Sequence, residues 1–226
     1  QEGLSAIEKE IGRKYGDAEN PLLLKVVCSS NLSLPIYPTV FNVGLTTGTI
    51  SGFAKIIGER AAWFEYCYLL RTAGTKLYDI PGSKFDEIEK KFPADVEGTK
   101  QCAGEMQQLL GAGKVPDDPI AQLEVIIKNA AKRYHDPDLD EEDSLAIQVQ
   151  GMVFGNIGAN SCVGMYFTRN AISGEDKLSG SYLMNSYTLD RPGEDIHKLE
   201  GGFLDEFKKI GATLEKKFLE IREVKF

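Results

Sequence analysis

Histidine is nearly missing from this chain, with two in 226 residues, His135 and His197. His135 precedes Asp-Pro and His197 is expected to begin the last helix. Neither has a Ser or Cys nearby in a nucleophile setting, which argues against triad-type chemistry and leaves both as expected surface residues. The four cysteines, Cys28, Cys67, Cys102 and Cys162, form no CxxC pair and stand far from both histidines, so no metal site is expected. Reduced, mostly buried thiols are expected instead. Basic charge is short as well: 26 Lys and Arg against 34 Asp and Glu leave a net charge of −8. A nucleic-acid partner needs clustered cations to neutralise phosphates, so none is expected. No apolar run approaches membrane-spanning length and no signal-peptide pattern opens the chain, so the expectation is a cytoplasmic protein with no membrane partner. Without such a signal, the sequon Asn31-Leu32-Ser33 carries no weight.

Two motifs fail on inspection. GAGK at 111–114 suggests a phosphate loop, but Gln108 stands where the first Gly is required and Val115 where a Ser or Thr would hold magnesium. DPDLDEED at 136–143 mimics a calcium loop, yet Glu141 replaces the turn Gly and Ile147 the bidentate Glu. It reads as a solvated acidic linker.

What is present is an ordinary globular composition, 42% hydrophobic and 27% charged, long enough for a sizeable core. Residues 4–15 put Leu4, Ile7 and Ile11 on one face, predicting a surface helix that ends at Gly16. LLLKVV after Pro21 predicts a buried strand. Residues 51–73 predict an aromatic-rich helix with Phe53, Ile56, Ile57, Trp63, Phe64 and Leu70 available for packing. Residues 81–143 read as a helical insertion, with Ile120, Leu123, Ile127, Ala130 and Tyr134 as one apolar stripe. SLAIQVQGMVFGN, CVGMYFTRN and LSGSYLMNSYTLD then read as strands between Gly, Asn and Ser turns. A closing helix repeats Phe203, Phe207, Ile210, Leu214, Phe218 and Ile221 at helical spacing. The expectation is an α+β chain in three stretches: a first α/β segment at 1–80, the insertion at 81–143, and a β-rich second segment at 144–226.

The segments QVQGMVFGN (148–156), FTRN (167–170) and SGE (173–175) resemble the nucleotide-binding domain of the pyruvate, phosphate dikinase family, whose pattern runs V-Q-x-M-V-F-G-N and then F-T-R-N-P-S-T-G-E. IEKEIGRKYGDAENPLLLKV, SLPIYPTVFNVGL and VPDDPIAQLEVIIKNA resemble further stretches of it, in order. The resemblance implies an ATP-grasp-like fold with a helical insertion, whose lobes close on ATP to phosphorylate a carrier histidine in phosphoenolpyruvate and pyruvate interconversion. Such phosphoryl transfer depends on cations positioned around the transferred group.

Against that pattern the charged positions are altered. The family's V-R-S-G-A reads Val26-Val27-Cys28-Ser29-Ser30 here, with Val27 in place of the Arg. A family Arg pair falls on Cys67 and Tyr68. P-G-M-M-D is shortened to Pro35-Ile36-Tyr37-Pro38, and N-A-Q-G-E-D keeps only Asn185 and the final Asp190. The acids of D-x-E-F fall on Glu223 and Lys225, and a lysine donates where magnesium needs an acceptor. Gln150, Met152, Val153 and Phe154 lie where the resemblance places the adenine. Family segments on either side of these residues find no counterpart in the sequence, and bare sheet edges and an apolar closing helix would invite pairing.

The expected function is a non-catalytic binding or structural module, a pseudoenzyme acting through a protein partner or as a homo-oligomer. Two alternatives stay open: a working nucleotide-binding part of a dikinase, completed by another chain or segment, and a regulatory adenine-nucleotide-binding domain. ATP or ADP is the implied ligand, and magnesium is not expected.

Overall fold

A computed structural model describes residues 2–29, 38–134, 146–186 and 191–226. The chain divides into two units, Gln1–Met152 and Val153–Phe226. Among the described residues no helix is long and apolar enough to cross a membrane.

The first unit is built on a three-stranded antiparallel sheet in the order β4-β3-β5, from Thr39–Val43, Leu24–Ser29 and Ala146–Gly151. Two short strands, β1 (Lys14–Tyr15) and β2 (Pro21–Leu22), pair in parallel beside it. Along β3, Leu24, Val26 and Cys28 are buried while Lys25 and Val27 are half-buried, the alternation of a strand with one face against the core. Val26 pairs with Val40 and Val149, extending the packed face across the sheet. Among the described residues six helices accompany the sheet: α1 (Glu2–Ile11), α2 (Ile50–Ile57), α3 (Glu59–Leu77), α4 (Gly82–Glu89), α5 (Val96–Leu110) and α6 (Pro119–Tyr134). Phe53, Leu69, Leu70, Phe85 and Met106 are fully buried among these elements. Each such side chain stabilises the unit by about 2 kcal/mol relative to an exposed one.

Several expectations change here. The first helix stops at Gly12, not Gly16, because Gly12 takes a left-handed φ of 73° and the chain then turns to form β1. The predicted 51–73 helix is two helices, parted at Gly58 with φ 92°. Phe64 is 45% exposed and does not join the core. The insertion forms no unit of its own: α5 packs on α3, and α6 on β3, β4 and β5. On α6 the buried line runs through Gln122, Ile126 and Ala130, while Ile120 is 52% exposed. The strand at 146–151 completes the first sheet by pairing with β3, so the division falls after Met152 and not at 143/144. GAGK lies just past the end of α5, with Gly111 and Gly113 at positive φ and the Lys114 carbonyl accepting from the Tyr78 hydroxyl. The acidic run 136–143, His135 and Asn31 lie outside the described residues.

The second unit is a four-stranded antiparallel sheet in the order β8-β7-β6-β9, from Glu194–Asp195, Ser179–Met184, Cys162–Phe167 and Glu223–Lys225. One helix, α7 (Phe203–Phe218), packs on it. Its core is Tyr166, Leu178, Ile196 and Phe207, with Val224 and Phe226 against them; the Tyr166 and Phe207 rings stack at 4.7 Å. The predicted stripe on α7 is half right. Phe207 is buried, but Phe203, Ile210 and Phe218 are 39–46% exposed, and Gly211 takes the second buried position against Thr168. His197 sits in a short 3-10 turn, Ile196–Lys198, ahead of this helix and does not begin it.

Candidate functional site

The face of the first sheet turned away from the buried residues carries Lys25 and Val27 of β3. Val27 pairs with Thr39 and Gln148, and Lys25 pairs with Gln150. Directly opposed residues of antiparallel strands project to the same side, so Lys25, Val27, Gln148 and Gln150 form one patch. Val27 offers that patch only methyl groups. Lys25, two residues away or about 7 Å along the strand, is its cation. Lys25 makes no ion pair with the described residues, and its place two residues before the position of the family Arg hid it from sequence reading.

The two positions matched to the family Arg pair separate. The Cys67 thiol donates to the Thr99 carbonyl at 3.6 Å and lies beside Cys102, within the α3–α5 packing. Burial pushes its pKa up, so it behaves as an inert packing group. Tyr68 faces the other way, 39% exposed, with its ring centroid 5.4 Å from that of Phe41 on β4. Cys28, beside Val27 in sequence but on the packed face, has its thiol pushed up to about 11 by burial.

Of the four residues placed near an adenine, Gln150 alone sits in the patch. Met152 follows the end of β5; its N–H donates to the Leu23 carbonyl, and its sulfur accepts from the Asn42 N–H at 3.3 Å. That side chain is therefore engaged within the first unit. Val153, 82% exposed, and Phe154 belong to the second unit, in irregular chain beyond the strand. The four do not form one continuous strand.

On β9, Val224 packs on the core side, so Glu223 and Lys225 project from the opposite face. Lys225 Nζ lies 3.4 Å from Glu223 Oε1. An ammonium stands where the resemblance places the second acid, and it faces the first. A hard divalent cation needs convergent oxygen ligands, so this pair does not fit magnesium. Asp190 lies outside the described residues.

The retained F-T-R-N motif is a structural junction. Thr168 Oγ1 donates to Glu215 Oε1 at 2.6 Å and accepts from the Arg222 N–H at 3.0 Å. Arg169 Nε donates to Glu215 Oε2 at 2.8 Å, and Asn170 Oδ1 accepts from the Ile172 and Ser173 amides. The motif thus ties the end of β6 to α7, to the irregular chain leading into β9 and to its own turn. The Thr168 and Arg169 hydrogen bonds hold the Glu215 carboxyl below the usual carboxylate range.

A segment with this order of strands, helices and motif junctions is an α+β module related by descent to known proteins. A pyruvate, phosphate dikinase of Treponema pallidum (strain Nichols) is 36% identical over 229 residues, covering 95% of this chain and 25% of that protein. The chloroplastic pyruvate, phosphate dikinase 1 of Zea mays is 31% identical over 256 residues, covering the whole chain and 27% of the relative. The pyruvate, phosphate dikinase of Clostridium symbiosum is 29% identical over 258 residues, with 30% of its length covered. The chain belongs to the pyruvate, phosphate dikinase family. It spans under a third of the length of these curated relatives. No family model matches it. Alignments of 256 positions against 226 residues mean that the maize protein carries residues that this chain lacks.

Proposed function

We propose that the chain is an ATP-grasp-like nucleotide-binding portion of a dikinase-family protein that has kept its scaffold and lost its phosphoryl-transfer chemistry. It acts as a non-catalytic binding or structural module, within an assembly formed with a protein partner or a second copy. The observation that carries this reading is the Glu223–Lys225 ion pair on β9. Phosphoryl transfer requires cations to neutralise charge spreading over three oxygens, supplied by guanidinium forks and by magnesium held on acidic ligands. Here one acid is paired to a lysine, and the strand position matched to an Arg presents Val27.

The polar patch favours a second reading beside the first, a domain that binds ADP or ATP as a regulatory ligand. Lys25 attracts phosphate as a point charge but cannot grip two oxygens as Arg does. The half-buried Gln150 beside it can donate to and accept from a ligand. Incubation with γ- and β-labelled ATP and a separately supplied phosphohistidine domain tests the non-catalytic claim. No labelled histidine above background is expected. Labelling by this chain would return it to the working dikinases.

A further inference from the structure

We propose that the second unit binds a small phosphate-bearing anion in the pocket between the turn at 169–178 and α7. The pocket encloses about 520 Å³ and lies on the helix side of the sheet, opposite the face that carries Glu223 and Lys225. Three cations line it: Arg169, Lys177 and Lys208. Its one inner carboxylate, Glu215, is already satisfied, one oxygen accepting from Thr168 and the other from Arg169. Arg169 spends its Nε–H on that bond, and its Nη1 stands 3.9 Å from Asp176, whose carboxylate is 83% exposed at the rim. A guanidinium has five N–H groups, so several remain for a ligand.

The lysines are less committed still. Lys177 makes no ion pair among the described residues. Among the described residues Lys208 pairs with Asp205 alone, one turn back on the helix surface at 3.7 Å, an exposed pair of little energetic weight. His197 closes another side. Its Nε2–H donates to the Leu178 carbonyl at 2.9 Å, since a carbonyl can only accept, and this fixes the ring in place. Leu178, 5% exposed, and Ala212 supply an apolar wall. Like charges facing one concavity repel each other until an anion enters. The cations suit a phosphate, and the apolar wall suits the carbon part of a small monoester. The volume exceeds what the bare ion needs.

The test is an amide NMR titration of the ¹⁵N-labelled 226-residue chain with inorganic phosphate and with glycerol 3-phosphate, against sodium chloride at matched ionic strength. Saturable shifts are expected at Lys177, Gly211 and Ala212, and the Lys177→Ala/Lys208→Ala double variant should bind about tenfold more weakly. Tighter binding of glycerol 3-phosphate assigns a monoester, and equal or tighter binding of phosphate assigns the free ion. Shifts reproduced by sodium chloride, or undiminished affinity in the double variant, would overturn the site. A nucleotide on the first sheet would move amides at 25–27 and 148–150 instead, so this result is separable from the nucleotide reading.

Discussion

Replacing Gln122 by Leu should cost the first unit about 2–3 kcal/mol, although leucine matches its size and suits a buried site. Gln122 is 0% exposed. Its Oε1 accepts from the Gly44 N–H at 2.6 Å, and its Nε2 donates to the carbonyls of Leu45 at 3.2 Å and Pro116 at 3.0 Å. One side chain thus satisfies the turn after β4 and the chain entering α6. Leucine would leave the Gly44 N–H buried without a partner, at about 1–3 kcal/mol, and would strip a donor from each carbonyl. About 1 kcal/mol returns through the better transfer of an apolar side chain. For a unit of this size each kcal/mol moves Tm by about 2–4 °C, so a fall of roughly 5–10 °C is expected. Urea and thermal unfolding followed by circular dichroism measure it, with the half-buried Leu123→Met as a neighbouring control that should change little. A Gln122→Leu variant within about 0.5 kcal/mol of the parent would refute the claim that this polar network organises the unit.

Two further outcomes follow from charged and polar groups in the interior. Glu65 is 6% exposed, and burial raises its pKa above the ordinary 4.5, only partly countered by the hydrogen bond from Asn42 Nδ2. Its ionisation therefore costs stability as pH rises through the raised value, and the cost vanishes below 4.5. Glu65→Gln keeps the acceptor and should melt higher than the parent at pH 8, with a flatter Tm profile between pH 5 and 8; calorimetry showing a lower Tm at pH 8 would refute this. Thr168→Val removes the donor to Glu215 and the acceptor for Arg222, for an expected loss of about 1–3 kcal/mol in the second unit, which Thr168→Ser should largely restore in urea unfolding.

The sequence showed β3 well, because an apolar run after Pro21 has few other ways to fold. It also showed that a long helix closes the chain. The face each helix buries was harder to read, for one reason repeated. On α6 the first buried residue is Gln122, and on α7 the second is Gly211, and neither carries a hydrophobic signal. The pairing of β5 with β3 joins segments separated by the whole helical stretch, so local pattern could not place the unit boundary. In the site, the alignment of Val27 and Lys225 was legible from motif strings. That Cys67 packs inward, that Lys25 shares a face with Val27 and that Lys225 pairs with Glu223 were set by strand alternation and helix orientation, which no string match displays.

A scaffold retained without metal-assisted phosphate handling gains nothing from Mg²⁺ when a nucleotide binds. Titration calorimetry of the intact chain with adenosine, ADP and ATP, each with and without Mg²⁺, measures this. Weak or no binding is expected, with adenosine and ATP within about threefold of each other and Mg²⁺ changing either by less than about twofold. ATP binding about a hundredfold tighter than adenosine, and only with Mg²⁺, would contradict it.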